Sequence, residues 1–535
     1  MRHIHSLPIA ALFALLASSC LREDEDKFGQ SASERMSSFL TETMQTLTGA
    51  EHGWEMDYYP EPTQTYGGYA YTMRFTASDV SIRYELDNRG AEQTTSYRLK
   101  SDMGPVLSFD QLLTLFHYHA TPSRGNYRAF EGDFEFVIDS VGADLVKMHG
   151  KKTHNTIYLH RLESEPSAYL SAAVAVGAAF DLASADLNIG GSAARVEFAI
   201  DDSGSHSRHL SIASATDSVY TAYTVTDTGL RLYSPVTVNG TQVWDMAYDH
   251  ASLSLSAPGL TTTRSYVNPR VLTEAVSDIG FGDEGGSSTF SVDYLDQFDF
   301  ISDAEWLSVS TGDGGVTLTA TANATGHPRS ATVGARYKGG SRDLARFSVR
   351  QCDLADILGS YVVTFTNRAG TRQSLPAEIS QASTGGQVVL TVQAGESQRL
   401  SSNAAFDASS RSLVVSGGRN GFDSGASYYW NIMLFADGTV GTTANSRFNA
   451  LFSYDEATAT TTAVFEGAFL SYEIAGWLYT VSSSATSASL RYSDILLWME
   501  RPTLRKTATA APAGQALTLA PAAPRGTLRR AAWDD

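Results

Sequence analysis

From about residue 53 to about residue 499 the chain alternates apolar and polar side chains, and turn residues break the alternation repeatedly. Successive side chains of a strand point to opposite faces, so a period of two fits half-buried sheets and does not fit helices. Tyr69-Ala-Tyr71-Thr-Met73-Arg-Phe75 and Phe134-Glu-Phe136-Val-Ile138 read as strands bounded by Gly, Asp and Asn. Gly312-Asp-Gly314-Gly315 reads as a hairpin turn rather than a phosphate loop. The expected class is therefore all-β. Helix signals are few. Ser31 with Glu34 forms a capping box, followed by an apolar stripe at Met36, Leu40, Met44 and Leu47 that Gly49 stops. A second box, Ser108 with Gln111, predicts a short helix carrying Leu112, Leu115 and Phe116.

The ends follow other rules. Arg2 precedes an apolar run, Ile9 to Leu16, that is too short to span a bilayer. Ala17, Ser18 and Ser19 lead into Cys20, an order that resembles a lipobox, although Ala17 stands where leucine is usual. That resemblance implies a signal peptide over 1–19 and diacylglycerol on the Cys20 thiol. Glu23-Asp24-Glu25-Asp26 makes 20–27 an acidic tether, similar to the export signal of surface lipoproteins of Bacteroidota. The expected location is the outer membrane, lipid-anchored and facing outward. Cys20 and Cys352 are the two cysteines, so with Cys20 lipidated no internal disulfide forms and core burial must supply stability. A formal charge of −19 argues against a nucleic-acid partner. Residues 503–535, rich in Ala, Pro, Thr and Arg without periodicity, read as a disordered tail.

Two composition breaks divide the body. Leu260 to Pro269 is Thr-rich and reads as strand-poor, and Gln351-Cys352-Asp353 closes a β region before Leu354 opens another. The expected domains are 28–275, 276–351 and 354–502. Within the first, Tyr97-Arg-Leu99 with Gly104, Leu107 and Phe109 is echoed by Tyr223-Thr-Val225 with Gly229, Leu232 and Tyr233. Such an echo fits two similar halves in tandem, and it also fits plain β-alternation.

Three resemblances add to this reading. Gly53-Trp54, Tyr58-Tyr59-Pro60, Gly67-Gly68-Tyr69, Ser96-Tyr97-Arg98, Gly104 to Phe109, Glu131 to Phe136 and Gly150-Lys151-Lys152 resemble the Bacteroidota lipoprotein family called domain of unknown function 4302. The resemblance implies no activity. It does imply company with TonB-dependent transporters and their binding lipoproteins. Residues 276–351 are similar to a BACON domain, an immunoglobulin-like sandwich. The matching stretches are Phe290-Ser-Val292, Asp303 to Val309, Val316 to Ala320, Asn323-Ala-Thr325, Arg329 to Val333 and Phe347 to Gln351. Leu358-Gly359-Ser-Tyr361 opens a run of strands that resembles a lipocalin-like barrel, a closed fold that can leave a ligand cavity.

No metal or catalytic set stands out. His117 with His119 and His149 with His154 lie near one another, but neither a His-Glu-x-x-His helix nor a structural cysteine pair is present. Glu131, Asp133 and Glu135 would share one face of a strand, with Phe134 and Phe136 turned into the core. A Gly-x-Ser-x-Gly elbow is lacking. No catalytic residue, metal or cofactor is therefore expected. Aromatics are the stronger binding candidates, because sugar C–H faces stack on their rings. Trp54, Tyr58, Tyr59 and Tyr69 crowd one Gly/Pro-rich stretch, beside Tyr66, and Tyr429, Trp430 and Trp477 form a later group. Each reads more readily as core or barrel lining than as a sugar platform. Trp306 reads as sandwich core.

The functional expectation is a non-catalytic surface lipoprotein that binds or presents a nutrient, a glycan above all, beside an outer-membrane transporter. A structural or adhesive spacer that binds a protein partner is the second reading, and a glycan hydrolase the third.

Overall fold

The computed structural model describes residues 30–507 and 530, except 87–91, 103, 110–113, 123–126, 128, 202, 276–278, 382–387, 423 and 443–444. Cys20, the signal segment, the acidic tether and nearly all of the tail lie outside the described residues, as do Gln111 and Leu112 of the second capping box. The chain forms two compact units, divided between Asn268 and Pro269.

The first unit opens with helix α1 (Ala32–Thr48), started by the box read from sequence. The Glu34 N–H donates to Ser31 Oγ at 3.2 Å, and the Ser31 N–H donates back to Glu34 Oε2 at 2.8 Å. Leu47 leaves the helix for the core of an eight-stranded closed barrel. Its strands are β1 (Trp54–Tyr58), β2 (Tyr69–Phe75), β3 (Asp79–Tyr84), β4 (Gln93–Ser101), β5 (Pro105–Phe109), β6 (Glu135–Val141), β7 (Leu145–Gly150) and β8 (Thr156–Arg161). Alternation along β1 sends Trp54, Met56 and Tyr58 inward among Tyr71, Phe116 and Phe136, and an interior of this width is filled by side chains.

A second helix, α2 (Pro166–Ala178), begins on a proline whose missing N–H costs nothing in the first turn. A second closed barrel follows: β9 (Leu182–Ile189), β10 (Ser192–Ile200), β11 (His206–Ser214), β12 (Ser218–Val225), β13 (Gly229–Val238), β14 (Thr241–Asp249), β15 (Ser254–Ala257) and β16 (Leu260–Val267). The unit is thus a helix and a barrel, repeated. The sequence echo falls on the fourth and fifth strands of each barrel, where Tyr97 faces Phe109 and Tyr223 faces Leu232.

Sequence expectations need three corrections in this unit. The Thr-rich stretch 260–269 is largely strand: β16 closes the second barrel on β9, because threonine suits a pleated, half-exposed surface. Ser108 belongs to β5 and donates to Glu135 at 3.2 Å, and Leu115 and Phe116 lie in turns rather than a helix. Helix α2 had no sequence signal strong enough to expect it.

The second unit starts with a seven-strand sandwich. One sheet contains Ile279–Phe281, Ala345–Gln351, Arg329–Tyr337 and Phe298–Ser302, and the other contains Gly286–Phe290, Gly315–Ala320 and Leu307–Gly312. Phe290 of the second sheet meets Phe300 and Phe347 of the first, so the sheets pack face to face. The hairpin at 312–315 forms as read. Trp306 is a correction: it is half-exposed in the turn before its strand, with the Arg329 guanidinium 4.5 Å over its ring, and Leu307 takes the core position.

Further on, Gly359–Thr366 pairs with both Arg372–Gln381 and Ile495–Lys506, so a ladder of eight strands returns to its start. The antiparallel pair Tyr428–Phe435 and Tyr472–Ser482, whose partners are distant in the chain, extends from it. Tyr361, Phe365, Phe448, Phe452 and Trp477 fill the interior. Residues Thr503–Lys506, expected in the tail, belong to the closing strand.

Candidate functional site

Connections that follow odd-numbered strands gather at one end of the first barrel. The β1–β2 loop brings Tyr66 and the β5–β6 connection brings Tyr118, Tyr127, Phe130 and Phe134. Phe130 stands edge-on to Tyr66 at 5.0 Å between centroids and stacks with Tyr118 at 5.5 Å. Tyr66, Tyr118, Tyr127 and Phe134 are 38 %, 48 %, 87 % and 43 % exposed, which is unusual for rings this large. His119 packs against Tyr118 and Phe130, at 5.1 and 5.5 Å between centroids, and is bonded to the Tyr84 hydroxyl at 2.8 Å; burial, aided by the charge of Arg208, pushes its imidazole down to about 3. Neutral and enclosed, His119 is packing for the rings rather than an acid–base group.

The aromatics selected from sequence are mostly elsewhere. Trp54, Tyr58, Tyr59, Trp430 and Trp477 are buried and offer no face to solvent. Trp54 donates to the Leu47 carbonyl at 3.0 Å, Tyr58 to the Asp133 carbonyl at 3.0 Å, and Tyr59 receives Thr224 at 2.9 Å. Tyr69 is partly exposed under the Arg208 guanidinium, 4.8 Å away, and Tyr429 is partly exposed on its strand. The loop rings next to them in sequence, Tyr66 above all, reach the surface instead.

Glu131, Asp133 and Glu135 do not share a strand face, because β6 begins only at Glu135. Asp133 is buried and accepts the Lys152 and Thr153 N–H groups, both at 2.8 Å, which shapes the β7–β8 turn. Glu135 pairs with Lys100 at 2.6 Å and Lys151 at 3.2 Å. Phe134 is exposed, while Phe136 is core. Carboxylates so occupied make a poor acid–base pair.

A second cluster lies where the two barrels of this unit pack. Glu55 and Asp57 face outward from β1, on the side opposite Trp54, Met56 and Tyr58, yet each is only 1 % exposed. Arg231 of β13 donates to Glu55 Oε2 at 2.6 Å, approaches Asp57 Oδ2 at 3.5 Å and holds Asp245 at 2.7 Å. His160 of β8 reaches Asp57 Oδ2 at 3.2 Å, and Trp244 packs against its ring at 5.3 Å. Burial and the neighbouring Asp57 charge push Glu55 well above the carboxylate range. Asp57 is held down to about 2: burial opposes ionisation, but Arg231 and His160 outweigh it. One donor atom from each of Glu55, Asp57 and His160 lies within 4.8 Å of the others, a set that can hold a metal ion. Sequence reading expected no metal ligands, because His160 is more than a hundred residues from its partners.

Residues 24–250 match the family model described as domain of unknown function (DUF4302). The DUF4302 match takes in the whole first barrel and runs through β14 of the second, so it covers both the exposed rings and the Glu55–Arg231 cluster. No curated protein matches the chain.

Proposed function

We propose that this is a non-catalytic lipoprotein, anchored through Cys20 and facing outward, that captures a glycan for a TonB-dependent uptake system. The observation that carries the reading is the ring cluster in which the half-buried Phe130 joins the exposed Tyr66 and Tyr118, with Tyr127 and Phe134 also exposed on the same connection as Tyr118, at one end of the first barrel. Such rings stack on sugar C–H faces, and tyrosine adds a hydroxyl for hydrogen bonding. A rigid barrel holding loops that present them is a common arrangement for binding. The middle sandwich, read as BACON-like, and the last barrel, read as lipocalin-like, serve in this proposal as spacer and support.

A glycan-array screen of soluble residues 27–507 tests the reading, beside a Tyr66→Ala/Tyr118→Ala variant. Reproducible binding that falls by about tenfold or more in the variant, at least about 1.4 kcal/mol, supports capture at these rings. Binding that survives the substitution moves the site elsewhere. Silence across a broad array removes the glycan reading and favours a spacer that binds a protein.

A further inference from the structure

Four buried polar atoms around the Glu55 cluster have no hydrogen-bond partner: Glu55 Oε1, Asp57 Oδ1, Thr72 Oγ1 and the Tyr169 hydroxyl. Strand pairing explains their proximity. Glu55 stands opposite Thr72 on β2 and opposite His160 on β8, so the three form a row across the outer face of the first barrel. Tyr169 of α2 lies close enough for the charges of Glu55, Arg231 and Asp57 to act on its phenol. One orphaned polar atom in a packed interior is uncommon, and two on a carboxylate pair with two more beside it point to something held between them.

Charge and ligand type narrow what that is. Glu55, Asp57 and Asp245 bring three negative charges when ionised, and Arg231 answers one of them. A dication restores neutrality without requiring a proton on a buried carboxylate. Two carboxylate oxygens and one imidazole nitrogen suit zinc and its neighbours, whereas calcium and magnesium favour all-oxygen sets. Arg231 and Trp244 already hold the carboxylates and the imidazole from the second barrel, which is the support that a metal-binding set requires.

We propose that Glu55, Asp57 and His160 bind a divalent transition-metal ion, zinc by preference, between the two barrels. The ion ties the outer face of β1 to β8, under Arg231 and Trp244 of the second barrel, and its role is to neutralise and brace that face. It is independent of glycan capture at the loop rings.

The test uses the full chain in detergent, stripped with chelator, loaded with Zn²⁺ and desalted, with metal measured by atomic emission. Wild type should keep about one zinc per chain, and Glu55→Gln/Asp57→Asn should weaken zinc affinity by about tenfold or more. Retention of no zinc by wild type overturns the proposal, as does equal retention by the variant. X-ray absorption on zinc-loaded wild type gives a readout that does not depend on how the variant folds. One imidazole among oxygen ligands supports the site, and two or more imidazoles or a sulfur ligand refute it.

Discussion

Arg208 of β11 donates through one nitrogen to the Glu85 carboxylate and to the Gly68 carbonyl, the latter at 2.6 Å, and so joins the second barrel to the first. The Glu85 side chain is 3 % exposed, and burial pushes its carboxyl up even though Arg208 pulls it down. Removing one partner of such a pair leaves the other charge buried alone. Arg208→Met should therefore destabilise the first unit by about 3–5 kcal/mol, read as a lower denaturant midpoint. Glu85→Gln, which is neutral and still accepts a hydrogen bond, should cost clearly less.

Gly68 sits at the same seam. A Cβ there would come within 2.2 Å of Thr224 Oγ1 and 2.5 Å of the Tyr59 ring. Gly68→Ala should lower stability by about 1–3 kcal/mol through this overpacking. The fluorescence of Trp54, in the core of the first barrel, should be unchanged, because the strain lies between barrels. A variant as stable as wild type would mean that the seam is looser than described.

His119 gives the first unit an acid sensitivity. Its folded imidazole titrates at about 3, against about 6.5 in an unfolded chain. Between those values the unfolded state binds a proton that the folded state refuses, so stability falls as pH drops through this window. The contribution is at most about 1.4 kcal/mol per pH unit. His119→Gln cannot titrate and should show a shallower decline between pH 6.5 and 4 in urea unfolding. Parallel profiles for the two proteins would place the proton elsewhere.

Trp54 separates a packing role from a binding one. It is fully buried, donates to the Leu47 carbonyl and carries the Arg161 guanidinium 4.8 Å over its ring. Trp54→Ala should cost about 3–5 kcal/mol, and Trp54→Phe less. Neither should weaken glycan binding while the fold persists. Lost binding at unchanged stability would restore Trp54 as a binding platform.

What was legible in the sequence was local. The α1 box works through residues three apart, and strand alternation needs only a short window, so both could be read directly. Helix α2 was missed because Ser167 to Ala178 is apolar almost throughout and shows no stripe, while Glu165 makes no side-chain cap. The Ser108 box failed because strand pairing with β4 and β6 overrides a capping motif. Exposure of the aromatics depended on which barrel face or loop each ring met. Tyr58 and Tyr66, eight positions apart, have opposite fates. The Glu55–Arg231 cluster joins residues 176 positions apart and leaves no short-range mark.

Closure of the ladders also sets how this chain responds to pulling. Trp54 pairs with Arg161, Leu182 with Val267 and Tyr361 with Lys506, so the chain enters and leaves each barrel at neighbouring points. Tension along the chain then loads the closing ladder one rung at a time, as a zipper, rather than shearing all its bonds together. Each barrel would open at low force and lengthen the molecule in a discrete step, a yielding element in a chain pulled from both ends.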